Sequence, residues 1–287
     1  MSERLEACPV CGAEGACEYC PGMRPRMLRC PACGLLWLPG VTDAPVAEGT
    51  YEEGYYEWWL DLPEAVEAKR ATFARLLGLL ERHMSPGRLL DIGSAVGLLL
   101  EVARERGWEP VGVEVSRHAV RLARERLGEE VPLHVGRLED APLADGSFDA
   151  ITMTDVLEHL PDPVASLRRC RQLLAPEGRL LITTPAVGCL SQRLMRGGWF
   201  QIKDEHTRLF TPRALREALQ RAGMEIEASG TVRKTLSLGF VSSHFDAYPR
   251  PLLTPVLGGM TRVLGPMARV TVPMASGEMW AIARQQQ

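Results

Sequence analysis

Chemistry-bearing residue types gather first at the N-terminus. Two near-identical knuckles, Cys8-Pro9-Val10-Cys11-Gly12 and Cys30-Pro31-Ala32-Cys33-Gly34, are separated by a stretch long enough for a hairpin. A Cys-x-x-Cys turn brings two thiolates to one side, and the glycine that follows permits the tight backbone curl. Two such turns supply four sulfurs, the closed tetrahedral shell of structural zinc. Cys8, Cys11, Cys30 and Cys33 are therefore the expected ligands of a Zn2+ ion. A third pair, Cys17 and Cys20, lacks the proline and glycine context and is read as spare thiols in the connecting loop. Replacement of one ligand pair by these two is the alternative. Cys170 and Cys189 are isolated. Clustered pairs point to metal rather than to disulfides, and no βαβ pattern surrounds them to suggest thiol redox chemistry.

A second concentration is Asp91-Ile-Gly93-Ser94-Ala-Val-Gly97, followed 23 residues after Asp91 by Glu114 in Val113-Glu114-Val115-Ser116. A glycine turn between a strand and a helix is where open α/β sheets place ligands, and a carboxylate ending the next strand can accept from both hydroxyls of a ribose. The spacing is Gly-x-x-x-Gly, not the Gly-x-Gly-x-x-Gly that fits a pyrophosphate. Asp91, ahead of the turn, would repel a pyrophosphate and attract a cationic ligand.

The elements that must position these residues follow from periodicity and punctuation. Arg88–Ile92 reads as a buried strand, residues 98–106 as a helix ended by Gly107, and residues 110–115 as a second strand. Ser116 caps a helix to Leu127. Further strands are predicted at 131–135, 148–154 and 179–184, with a helix over 163–174. Thr211-Pro212 starts a helix ending near Gly223, and Glu225–Arg233 and Glu278–Arg284 are the last strands. Upstream, Val66, Phe73, Leu76, Leu77 and Leu80 share a helical face within 63–83. Residues 35–63, rich in aromatics including Trp37, read as a linker and the start of a lid. The fold class is α/β, a Rossmann-like doubly wound seven-stranded sheet with a small N-terminal zinc-binding module. The expected organisation is a module over 1–40, a linker and lid helix over 41–85, a ligand-binding domain over 86–235, and a C-terminal lid segment with the last strand over 236–287.

Composition bounds the partners. The chain has 287 residues, 46% hydrophobic and 24% charged, with a net charge of −3, which suits a globular protein and gives no electrostatic reason to expect nucleic acid. The first 33 residues hold four arginines and four acidic residues, too neutral for a module built to grip phosphate. No run of eighteen apolar residues and no signal peptide is visible, so the expectation is a cytoplasmic protein without a membrane span. Oligomeric state is not legible.

The chain resembles the class I S-adenosylmethionine-dependent methyltransferases. The likeness is carried by the Asp91–Gly97 turn and Glu114, by His134-Val-Gly-Arg137-Leu138-Glu139-Asp-Ala-Pro-Leu143, and by Asp145-Gly-Ser-Phe148-Asp149 through Asp155-Val156-Leu-Glu158-His159-Leu-Pro-Asp162-Pro163. Leu173-Leu-Ala-Pro-Glu-Gly178, His206…Phe210-Thr-Pro and Ala222-Gly223 extend it. Ala95 departs from the pattern, standing where many relatives have a central glycine. The cysteine-rich head followed by Cys33-Gly-Leu-Leu-Trp37-Leu-Pro resembles a subset of small-molecule methyltransferases, some of them sugar-modifying. The resemblance implies S-adenosyl-L-methionine as cofactor. Asp91, Gly93, Ser94 and Gly97 would surround its methionine portion, and Glu114, with Val115 beside it, its ribose. Leu138 and Glu139 would lie beside adenine, and Asp155 and Val156 along the floor. Tyr51, Tyr55 and Tyr56 are expected either to close over the cofactor or merely to pack.

Methyl transfer from a sulfonium needs alignment more than a dedicated catalytic group, though an oxygen or carbon acceptor benefits from a base. His159 and His206 are the candidates, positioning or loop bracing being the commoner role for such histidines; His83, His118, His134 and His244 read as ordinary packing or surface residues. In Pro249–Gly277, Leu253, Val256, Leu257, Met260, Val263, Leu264 and Met267 recur at helical spacing. A core-packed helical hairpin or a lid over the substrate is expected there rather than a membrane contact. The leading reading is methyl transfer to an O, N or C atom of a small-molecule acceptor. The alternatives are a zinc-bearing ribosomal RNA methyltransferase, an NAD-dependent oxidoreductase and a catalytically silent interaction protein.

Overall fold

The computed structural model describes residues 7–41, 60–239, 242 and 253–286. Tyr51, Tyr55, Tyr56 and His244 lie outside the described residues. Seven strands form the main sheet: β4 (Arg88–Ile92), β5 (Glu109–Glu114), β6 (Leu133–Val135), β7 (Phe148–Thr154), β8 (Leu174–Pro185), β10 (Met224–Ser237) and β11 (Thr271–Gln285). Their order is β10-β11-β8-β7-β4-β5-β6. Strands β6, β5, β4, β7 and β8 run parallel, and β11 pairs antiparallel with both β8 and β10. The chain leaves β4 towards β5 on one side and returns to β7 on the other. The strand order therefore reverses at the β4–β7 boundary, where the carboxyl ends open a crevice.

Alternation along the strands explains the two packed layers. Leu89, Ala150, Leu181 and Ile282 face α1 (Pro63–Leu80) and α2 (Leu98–Glu105). Leu90, Ile151, Leu180 and Ile182 face α4 (Pro163–Leu173) and α6 (Pro212–Arg221). Further helices among the described residues are α3 (Arg117–Leu127), α5 (Leu190–Met195) and α7 (Leu253–Leu264). Two caps fall where the sequence places them, Ser116 accepting from Ala119 N and Thr211 from Ala214 N; Asp162 caps α4 in the same way, accepting from Ala165 N.

A second, four-stranded sheet has the order β1-β2-β3-β9, from β1 (Cys17–Tyr19), β2 (Met27–Arg29), β3 (Leu36–Trp37) and β9 (Arg208–Leu209). The hairpin between the knuckles forms as expected. The fourth strand, however, comes from far along the chain: Leu36 pairs with Leu209 and Trp37 with Arg208. The N-terminal cysteines share a core with α6 through Val10, Leu35, Phe210 and Ala214.

Three expectations need correction. Trp37 belongs to no linker; it is buried in β3 because the module and α6 close over it. The C-terminal segment is not a core-packed helical hairpin. Its first half forms α7, but Val256, Met260, Val263 and Met267 stand exposed, and Thr271–Ala275 is the start of β11, paired with β10. The boundary drawn at residue 235 falls inside β10, which runs on to Ser237 as half of that ribbon.

Candidate functional site

The turn from β4 to α2 is built by close approach. Gly93 has φ +71°, and a Cβ there would lie 2.5 Å from Val156 Cγ2 on the facing β7 turn. Gly97, at φ +79°, lies so close to α3 that a Cβ would sit 2.7 Å from Leu127 Cδ1. Ala95 also has a positive φ, +47°, a conformation that costs an L-residue about 1 kcal/mol. What holds it is Glu114, whose Oε2 accepts from Ala95 N at 2.9 Å while Oε1 accepts from Ser116 N at 2.8 Å. Each carboxylate oxygen keeps a further lone pair for a ligand.

Asp91 is buried, and its Oδ1 accepts from Thr152 Oγ1 at 2.7 Å. Burial pushes its carboxyl up to about 7; Thr152 opposes the shift and Glu114 adds to it. Burial raises Glu114 as well, against the backbone N–H groups it accepts from. Among the described residues, Ser94 Oγ is buried with no hydrogen-bond partner. An orphaned hydroxyl costs about 1–3 kcal/mol unless a ligand completes it. A cradle that a single Cβ would fill, two carboxylates and an unsatisfied hydroxyl fit a ligand with a cationic end and a diol.

Of the other residues expected around this ligand, Val115 is exposed beside Glu114 and Leu138 is buried in the main core cluster. Glu139 is exposed, with Oε1 accepting from Ser166 Oγ of α4 at 2.9 Å. Val156 lines the Gly93 cradle. Asp155, at φ +56°, accepts from Thr183 Oγ1 at 2.8 Å and pairs with Lys234 at 3.1 Å.

Beyond Asp155 lies a second group. His159 and His206 meet edge to face, with ring centroids 4.9 Å apart. Their Nδ1 atoms bond the carbonyls of Glu205 at 2.8 Å and Gln201 at 2.7 Å. Burial lowers both rings, His206 to about 3 with His159 contributing, so each is neutral near pH 7. Glu158, also buried, has Oε2 accepting from Thr184 Oγ1 at 2.9 Å. Burial, with Asp155 adding to it, raises its carboxyl. Glu158, His159 and His206 offer ligand atoms that all lie within 4.8 Å of one another.

Sequence reasoning missed Glu158 as a participant and missed Lys234 and Glu278, which pair at 2.7 Å. A signal existed. The chain has only three lysines, Lys69, Lys203 and Lys234, and all three lie around this cluster. Lys234 bonds Asp155, Lys203 acts on both histidines, and Lys69 is lowered to about 8 by burial and by Lys234.

At the N-terminus, Cys8 Sγ lies 3.6 Å from Cys33 Sγ, and Cys11 Sγ lies 3.4 Å from Cys30 Sγ. All four sulfurs fall within 4.8 Å of one another, close to the roughly 3.8 Å edge of a tetrahedron with bonds of about 2.3 Å. Gly12 N and Gly34 N donate to Cys8 O and Cys30 O, closing both knuckles. Cys11 N and Cys33 N point at the Sγ atoms of Cys8 and Cys30, at 3.5 and 3.4 Å. Cys17 is exposed and Cys20 lies against Gly197; neither joins the cluster. The donor set fits a zinc ion.

A family profile described as a methyltransferase domain matches residues 64–229, over half of the chain. Among curated proteins, a ubiquinone biosynthesis O-methyltransferase of Xanthomonas axonopodis pv. citri is 34% identical over 155 residues, covering 49% of this chain and 63% of that protein. One from Idiomarina loihiensis is 29% identical over 187 residues, covering 59% and 76%. The chain spans less than two thirds of the length of the Xanthomonas relatives. Among solved structures, a Pyrococcus horikoshii protein superposes with a TM-score of 0.54 at 17% identity, over 81% of this chain and all of that one. The [4+2]-cyclase SpnF superposes with a TM-score of 0.50 at 23% identity, over 74% and 81%. These likenesses show the fold, and the cyclase is a reminder that a fold does not fix a reaction. With the Asp91–Gly97 turn and Glu114 in place at the strand-order reversal, the profile match settles kinship: the chain belongs to the methyltransferase-domain family.

Proposed function

We propose that this protein transfers the methyl group of S-adenosyl-L-methionine to an oxygen of a small-molecule acceptor. The observation that carries the reading is the placement of two buried carboxylates, Asp91 ahead of the Gly93–Gly97 turn and Glu114 holding its backbone at Ala95 N. When bound, S-adenosyl-L-methionine supplies a methyl carbon already activated by its sulfonium. Asp91 and Ser94 take its amino-acid end, Glu114 its ribose, and Val115, Leu138 and Glu139 lie on the adenine side. The acceptor then enters from the Asp155, His159 and His206 side. Alignment of the acceptor oxygen with the methyl carbon and sulfur accounts for much of the rate. The names of the curated relatives support an oxygen acceptor on a small molecule.

Cys8, Cys11, Cys30 and Cys33 hold a structural Zn2+ in this reading, as thiolates, and a thiolate-bound metal of this kind suits the reducing cytoplasm. Among the described residues no helix is long and apolar enough to cross a membrane. The near-neutral cysteine module disfavours RNA as substrate, and family membership goes against the oxidoreductase reading. Calorimetry tests the core of the proposal: S-adenosyl-L-methionine or its demethylated product should bind and NAD should not. NAD binding with indifference to the sulfonium compound sinks it.

A further inference from the structure

A buried guanidinium joins the cysteine module to the acceptor side of the crevice. We infer that Arg208 is a positioning residue: it holds the turn carrying Glu158 and His159 against the exit of the cysteine module, so that metal loading of the cysteines orders the acceptor side and leaves the cofactor side as it is. The acceptor's place there rests on the methyl-transfer reading; the coupling does not.

Arg208 is only 3% exposed, although its strand, β9, is two residues long. Its side chain donates in two directions. Nη2 reaches Val41 O at 2.6 Å, where the chain leaves the module, and Pro161 O at 3.1 Å, just past the Leu157–His159 turn after β7. Nη1 donates to Thr207 O at 3.0 Å. The guanidinium is planar and its donors stand in a rigid fork, so Val41 and Pro161 are fixed relative to each other. Burying such a cation is costly unless its donors are satisfied. Withdrawal of either carbonyl strands part of a buried charge and drives the side chain towards water.

Backbone bonds repeat the same bridge. On the module side, Leu36 pairs with Leu209 and Trp37 with Arg208, and Leu38 N donates to Thr207 O at 3.0 Å. On the other side, Thr207 Oγ1 donates to Glu158 O at 3.2 Å, and the His159 ring bonds Glu205 O through Nδ1 at 2.8 Å. Residues 205–209 are thus one strip, with the module along one edge, the turn along the other and His206 within it. The second knuckle anchors the strip: Cys30 N donates to Leu35 O at 2.9 Å, and Thr211 Oγ1 to Cys33 O at 2.6 Å. Metal binding and folding are linked in small modules of this kind, so a bound ion fixes β3 and, through it, the strip. The cofactor turn is held from elsewhere. Gly93 N donates to Val113 O at 2.8 Å, Asp91 accepts from Thr152 and Glu114 from Ala95 N, partners that lie on β5, β7 and the turn itself. Metal loss therefore disables the acceptor side while cofactor binding persists.

The full chain is to be compared zinc-loaded, stripped of metal by a chelator, reloaded with Zn2+, and as zinc-loaded Arg208→Met. Hydrogen exchange should show residues 157–161 and 203–209 losing protection about tenfold or more in the stripped protein and in Arg208→Met. Residues 88–97 and 109–114 should stay unchanged in both, and Zn2+ should restore the stripped protein. Ring titration by NMR reads the same event at the histidines. Burial is the main cause that holds His206 at about 3 and lowers His159, and Asp155, Glu158, Lys203 and Glu205 are the charged or titratable groups facing the rings. Those groups are kept in every sample, so a released ring should titrate near its ordinary value of about 6.5. A loss of stability spread over the domain would not move one side alone. S-adenosylhomocysteine should bind every sample with affinities within about twofold. Unchanged protection of 157–161 and 203–209 without metal, or in Arg208→Met, overturns the coupling. Collapse of protection at 88–97 in either sample overturns it too, because the module or Arg208 then holds the whole domain. Selective release in a protein that ignores S-adenosylhomocysteine leaves the coupling standing and removes the methyl-transfer reading.

Discussion

Thr211 Oγ1 donates to Cys33 O at 2.6 Å and in the same place accepts from Ala214 N at 2.9 Å. One hydroxyl thus ties the second cysteine knuckle to the first turn of α6. The contact is close enough that a Cβ on Gly34 would lie 3.0 Å from Thr211 Cγ2. Thr211→Val removes both bonds at nearly constant volume and should cost about 1–2 kcal/mol, the worth of a cap plus a buried hydrogen bond. Thermal denaturation of the zinc-loaded protein measures it. An unchanged midpoint would show that the knuckle and α6 are held by apolar packing alone.

Metal analysis of the purified protein should give about one zinc per chain when no other metal is supplied. Cys8→Ser and Cys33→Ser should lose it, and Cys17→Ser should keep it. Loss of zinc in Cys17→Ser would move the ligand set to include the third pair.

Glu114→Ala should weaken S-adenosyl-L-methionine binding by about 1–3 kcal/mol, through charge-assisted hydrogen bonds lost to the ribose and support lost under Ala95. Calorimetry reads this directly. Full affinity in the variant would place the ribose elsewhere.

Asp91 gives a pH signature with a definite sign. Its carboxyl lies near 7 in the fold against about 4 in an unfolded chain. Its contribution to stability is therefore full below about pH 4 and is lost as pH rises through 7. Cofactor binding runs the other way, because the ammonium end of the ligand needs the carboxylate. Affinity should fall as pH drops from 8 to 6, and binding at pH 6 should release a proton, seen as a buffer-dependent enthalpy that Asp91→Asn abolishes. Flat affinity across that window would separate Asp91 from the ammonium group.

Lys234 should matter to stability through Glu278. The pair is 2.7 Å apart, with the Glu278 side chain only 6% exposed. Lys234→Met takes the cation from that buried carboxylate and should cost about 1–2 kcal/mol, a figure discounted because the lysine itself is part-exposed. The double variant with Glu278→Gln should recover part of the loss, and a thermodynamic cycle of melting curves tests the coupling.

What was legible in the sequence was local. Arg88–Ile92, the Ser116 cap and the Thr211-Pro212 start each carry their signal within a few residues, and the structure places them where the periodicity does. The two knuckles were legible because each closes on itself. Pairings across the chain were not. Nothing near Lys234 announces Asp155, 79 positions earlier, and nothing in the two-residue strand Arg208–Leu209 announces Leu36 and Trp37. The α7 segment shows the opposite limit: helical spacing predicted a helix correctly, yet spacing alone does not say whether its apolar face is covered.

Because β9 completes the small sheet, the first forty residues cannot be treated as a detachable tag. A fragment beginning after β3 would bare the hydrogen-bonding edge of Arg208–Leu209 and open the apolar cluster in which Met27 and Leu36 pack with Trp199, Ile202 and Leu209. An open strand edge beside exposed tryptophan and leucine invites pairing between chains. Truncation should therefore yield a sticky, self-associating protein rather than a smaller enzyme, and grafting the module onto another family member would require moving residues 199–211 with it.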